Sequence, residues 1–327
     1  IDGIGVSLNH YNRGVRLTDN DFSWVGDSAM ASWGATGTCL YENCSVSMPY
    51  PNGPDGRNGN QPRGTVVTGN LAREIGIWQK QSSMWFQATT ARTTFAGNVF
   101  FNGPRAGLNF NDGFGGGDLV ERNLLANCVR ESGDHGPWNS WDRIPYVTNI
   151  GMVPDPSSPT GYADAGGAPS VVPTWRTIRH NLIFDVYNSQ EGIDTDDGSS
   201  FYHAHDNFMV YAADGLKSDF GGQWNWHYGN VYAYVGRCFG TGNNLAFFNN
   251  TCVTFGDGYA SDCQHEMPNI YGNAVYNENG KMEVCGKHAL ADWVRAGHDR
   301  GTTLGPWPAD AALVARGMAK VQRPPPS

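Results

Sequence analysis

The sequence predicts an all-β fold, a single-stranded parallel β-helix of about nine coils with a short helical C-terminal cap, and three observations carry it. Glycine is abundant, 43 of 327 residues, beside 29 asparagines and only 16% charged residues. Interior glycines cost a helix roughly 1 kcal/mol each, and collagen's strict triplet is absent. Next, a phrase of a small or polar residue, then Asn, then an apolar run recurs at Asn20, Asn70, Asn98, Asn123, Asn181, Asn207, Asn230, Asn250 and Asn273. The intervals are 50, 28, 25, 58, 26, 23, 20 and 23 residues, a solenoid period. Finally, the apolar runs are short, rich in Val, Ile, Phe and Tyr, and bounded by Gly or Asn, which marks strands.

Taken in chain order, the coils begin at once after Ile1, so we expect missing coils or a protein partner at the N-terminal end. The two longest intervals become one period each if loops are inserted near 41–63 and 144–175, both rich in Pro and Gly. Asn suits the corners because it tolerates left-handed backbone and can bond along a stack. A β-sandwich would not explain nine repeats of one phrase, and a leucine-rich repeat would show a Leu ladder. The helix-like runs LADWVRAG and AALVARGMAK after His288 are expected to cover the last coil, which divides the chain into 1–287 and a capping segment 288–327.

Charge and composition narrow the partners. The net charge is −9 and no basic run tracks phosphates, which argues against nucleic acid. No apolar stretch approaches the roughly 20 residues of a membrane span. The seven cysteines show no zinc spacing. Their crowding toward the C-terminus, with Cys39 and Cys44 as a close pair and Cys128 as the odd one, fits disulfides. With sequons at Asn43 and Asn249 they point to a secreted, extracellular glycoprotein.

Chemistry is concentrated on four coils. About 9 to 16 residues after successive corner asparagines fall Asn109, Asn111 and Asp112; then Asp134, His135, Trp138, Asn139, Trp141, Asp142 and Arg143; then Glu191, Asp194, Asp196 and Asp197; then Lys217, Asp219 and Trp224. Coils stack about 4.8 Å apart, so these residues should form one patch on one face. Paired carboxylates supply acid and base or nucleophile for glycosidic cleavage, while Trp138, Trp141, Trp224 and Trp226 offer flat faces to sugar rings. Asp134, His135, Asp196 and Asp197 are the candidate catalytic residues. Asn109, Asn111, Asp112, Trp138, Trp141, Asp142, Arg143, Lys217, Asp219 and Trp224 are candidates for substrate binding. Asp194 reads as structural. No cofactor is expected; Asp194, Asp196 and Asp197 could bind Ca2+, although the Gly and Glu spacing of a calcium loop is missing.

The strings SGDHGPWNSWDR (132–143), GIDTDDGSS (192–200), GLKSDF (215–220) and GDSAMASWG (26–34) resemble those of right-handed parallel β-helix proteins related to glycoside hydrolase family 141, within the pectate-lyase-like superfamily. That resemblance implies a right-handed helix, fucosidase-like or xylanase-like action on a cell-wall type polysaccharide, and Asp134, His135, Asp196 and Asp197 on the active face. Two other readings remain open. One is a polysaccharide lyase using Lys217, Arg143 or His135 as base; the other is a non-catalytic glycan-binding or structural β-helix that forms an assembly.

Overall fold

A computed structural model describes residues 1–34, 60–111, 116–141, 174–186, 189–196, 198–218, 224–240, 242, 245–261 and 269–321. Among these the regular structure is nearly all strand, in many short pieces, with two helices, α1 (Leu290–Arg295) and α2 (Asp310–Val321). Apart from the antiparallel pair Glu283–Val284 and His288–Ala289, all the strand pairings are parallel. Nine strands from Arg16–Thr18 to Ile270–Tyr271 make one sheet. The other sheet has 18 strands and curls, because two parallel rows merge in the long strands Phe208–Ser218, Val231–Phe239 and Thr251–Ala260.

Register lines up the core. In the nine-stranded sheet Leu17, Val67, Phe95, Val120, Ile178, Ala204, His227, Phe247 and Ile270 follow one another level by level. Nearly all of them, with Phe100, Leu125, Ile183, Trp85, Leu108, Trp138 and Ile193 from the other rows, belong to one continuous hydrophobic cluster. Alternate residues of each strand face away from it.

The recurring asparagines hold the levels together. From Asn20 to Asn273 each side-chain Nδ2 donates to Oδ1 of the next asparagine at 2.8–3.3 Å. From Asn70 onward Nδ2 also donates to a backbone carbonyl, such as Leu17 O from Asn70 and Phe95 O from Asn123. The left-handed residue is not the asparagine but its predecessor: Asp19, Gly69, Gly97, Arg122, His180, Asp206, Gly229, Asn249 and Gly272 have φ of 52–69°. One residue makes the turn, and the asparagine, back in allowed backbone, satisfies the groups the turn exposes.

The last segment does more than close an end. Thr303–Gly305 adds a parallel strand beside Ala274–Asn277, and Thr302 Oγ1 accepts from Asn273 N at 2.9 Å, taking over where the asparagines stop. α1 packs Leu290 into the main core near Met282 and Val284. α2 does not cover the last level as expected. It lies along the side of the stack, where Leu313 meets Phe208, Val231, Ala233 and Val253.

Cys238 and Cys252 form a disulfide between neighbouring strands, and Cys128 is buried and free, the odd one as expected. Cys39, Cys44, Cys263, the Asn43 sequon and most of both inserted loops lie outside the described residues. No described helix is long and apolar enough to cross a membrane.

Candidate functional site

Four strands build the site: Leu108–Asn111, Trp138–Trp141, Glu191–Asp196 and the end of Phe208–Ser218. Their register places Asn109, Asn139, Asp194 and Lys217 in one row, and Asn111, Trp141 and Asp196 in the next. In the row just before the first, Leu108, Trp138, Ile193 and Leu216 belong to the core. The pleat therefore brings Asp194 and Asp196 to one face. Asn139 Nδ2 donates to Asn109 Oδ1 at 2.9 Å, continuing the row as an amide ladder.

The turn before Trp138 lays His135 over this row. His135 has φ 76°, and a Cβ on the following Gly136 would sit 2.5 Å from Glu191 O, so glycine is what lets the turn approach the next level. His135 Nδ1 then lies 3.5 Å from Asp194 Oδ2 and 3.4 Å from Asp134 Oδ1. Arg105 Nη2 donates to Asp134 Oδ2 and to His135 Nε2, both at 2.8 Å. Guanidinium has only donors, so Nε2 is the imidazole acceptor and the ring proton sits on Nδ1, facing the carboxylates. Burial, then Arg105, lowers the His135 pKa, which keeps the ring neutral.

Beneath it, Lys217 Nζ lies 3.6 Å from Asp194 Oδ1, 3.6 Å from Asp196 Oδ1 and 4.0 Å from Glu191 Oε1. Burial pushes both Asp194 and Glu191 up to about 8, with neighbouring carboxylates adding to the rise and Lys217 opposing it. Both oxygens of Asp194 are buried without a hydrogen bond, as is Glu191 Oε2. With Asp134 and Arg105 the group holds four carboxylates and two cations, a formal −2 when all are ionised. Below pH 8 part of that charge is removed by protons.

Asp134, His135, Asp196, Lys217, Asn109, Asn111 and Trp141 thus fall on one face, as the spacing predicts. Two expectations change. Trp138 is buried in the core against Phe110 and Tyr202, because it sits at an inward position of the pleat. Trp226 belongs to the nine-stranded sheet, stacked on His203 at 5.0 Å. Trp224 is half-buried in the turn two residues earlier, with φ 59°. Asp112, Asp142, Arg143, Asp197 and Asp219 lie outside the described residues.

Sequence reasoning undervalued Asp194, which lies at the centre of the group, named Glu191 and Asn139 in the patch without giving them a role, and passed over Arg105. The signal for Asp194 was present: if Ile193 faces the core, Asp194 and Asp196 share the other side. Arg105 comes from the turn between Val99–Phe101 and Leu108–Asn111, the counterpart one level earlier of the turn that carries His135.

Ligand atoms of His135, Asp194 and Asp196 lie within 4.8 Å of one another, close enough for a divalent cation. The donors do not fit one. Nδ1 carries the imidazole proton, and each aspartate has an oxygen facing Lys217. No protein-family model matches the chain, and neither the curated proteins nor the solved structures contain a match.

Proposed function

We propose that the chain is a secreted glycoside hydrolase on a right-handed parallel β-helix of about nine coils, similar to family 141 and cleaving a cell-wall type polysaccharide in a fucosidase-like or xylanase-like manner. The observation that carries this reading is a cluster of carboxyl groups on one face, with Asp134 and Asp196 in front of the buried Glu191 and Asp194. The side chain of Asp134 is 56% exposed and that of Asp196 12%. Glycosidic hydrolysis needs a pair of carboxyl groups, one to protonate the leaving oxygen and one to attack or activate water.

In this reading Asp134 and Asp196, with Asp197, supply acid and nucleophile or base. His135, held by Arg105, and Lys217 orient the sugar with Asn109, Asn111 and Trp141. Lys217 is engaged with carboxylates and is not free to act as a base, so a lyase is less well supported. The test is incubation with xylan, fucosylated and uronate-containing polysaccharides, with products identified by mass spectrometry. Asp196→Asn and Asp134→Asn should each lower turnover by roughly 10²–10⁴-fold. Full activity in both folded variants would overturn the assignment. Unsaturated products would indicate the lyase, and no product on any substrate would favour the binding or structural reading.

A further inference from the structure

Lys217 and Asp194 are paired residues on adjacent parallel strands, so the backbone sets their side chains directly opposite each other. Lys217 Nζ and Asp194 Oδ1 are 3.6 Å apart, and Glu191 Oε1 lies 4.0 Å from the same nitrogen. Asp194 is fully buried, and neither of its oxygens has a hydrogen bond. A charged carboxylate kept there loses its hydration and recovers only an ion pair longer than a hydrogen bond. Lysine, aspartate and a neighbouring carboxylic acid, held together away from water, make up the reactants and the proton carrier for amide formation.

The geometry points to a covalent isopeptide bond between Lys217 Nζ and Asp194 Cγ, formed within the folded chain with Glu191 carrying the proton. Transfer of a proton from the ammonium to the carboxylate first gives a neutral amine and a neutral acid, the pair that burial favours. The Nζ lone pair then attacks Cγ. Glu191, as the acid, gives its proton to the departing oxygen of the tetrahedral adduct and takes one back from the nitrogen. The Cγ–O bond breaks, water leaves, and a secondary amide remains. Glu191 ends as it began, and no oxidant or co-reactant is needed. Fixed proximity replaces the activation that such a condensation needs in solution.

Asp196 is equally close to the nitrogen, but it is not the register partner of Lys217 and it reaches solvent, where its charged form keeps hydration. The bond would staple Glu191–Asp196 to Phe208–Ser218 beneath His135. The inference does not depend on whether this face cleaves a glycan.

The experiment is mass spectrometry of the reduced, denatured chain. A single water lost lowers the intact mass by about 18 Da, and trypsin no longer cleaves after Lys217, so the peptides carrying Asp194 and Lys217 appear as one branched species. Lys217→Arg and Glu191→Gln should each restore the full mass. Full mass with linear peptides in the wild type overturns the proposal. So does a loss that persists in Lys217→Arg, which would be a succinimide elsewhere, or a branch that maps to Asp196. Should either variant fail to fold, the wild-type peptide map decides alone.

Discussion

Trp138 shares a short strand with Asn139 and Trp141, and the pleat decides which of the three meets the core. Its ring packs edge-on against Phe110 at 4.6 Å and Tyr202 at 5.9 Å, inside the stack. Trp138→Ala should therefore cost about 3–5 kcal/mol, the range for large aromatic truncations in a core, read from the urea unfolding midpoint. A cost below about 1 kcal/mol would put the ring on the binding face after all. The same residue shows what a string of letters conveys. Residue type made Trp138 and Trp141 equal candidates for stacking on sugar, and only the phase of the strand separates them. Phase was legible beside Ile193, where one apolar residue lies between carboxylates. It was ambiguous in WNSW, where both ends are aromatic.

The elements differ in how much of their packing the sequence contains. The Asn-led strands were legible because each repeat makes the same contacts with its neighbours, so one period describes every level. α2 was legible as an amphipathic helix, but periodicity shows only that one face is buried, and says nothing of the surface that buries it. That surface is the flank of the stack. Lys320 Nζ donates to Asp206 Oδ1 at 2.8 Å and Arg316 Nη1 to Thr251 Oγ1 at 3.2 Å, anchoring two points of the helix to different levels. The approach is closest at Gly317, where a Cβ would lie 2.4 Å from the Phe208 ring. In an isolated helix Gly→Ala gains roughly 1 kcal/mol. Here the helix must lift or Phe208 must turn, so Gly317→Ala should instead destabilise by about 1–3 kcal/mol. Thermal melts of the two proteins decide the sign. A rise in Tm would mean that α2 is not seated against Phe208.

At the scale of the whole molecule, buried titratable groups pull stability in opposite directions with pH. His227 sits in an inward row with both ring nitrogens unpartnered, and burial lowers it to about 3, while burial also lowers His203 to about 4. The unfolded chain protonates these rings near 6.5, whereas the folded one resists. Their contribution is complete above pH 6.5 and declines as pH falls toward 3. Glu191 behaves in the reverse way. Its folded value of about 8 lies above the ordinary 4.5, so the native state holds a proton that the unfolded state has released. The stability this provides is complete below pH 4.5 and is lost as pH rises toward 8. Between 4.5 and 6.5 the two trends oppose each other; from 6.5 to 8 the carboxyl trend acts without the histidines. Tm should be nearly level from pH 5 to 6.5 and fall from 6.5 to 8. Asp194, also raised to about 8, adds to this loss whenever its carboxyl group is free, so the double variant Glu191→Gln/Asp194→Asn should flatten the alkaline fall whether or not Lys217 and Asp194 are joined. His227→Phe should weaken only the loss below pH 5. An alkaline fall equally steep in the double variant would place its origin outside this group of carboxylates.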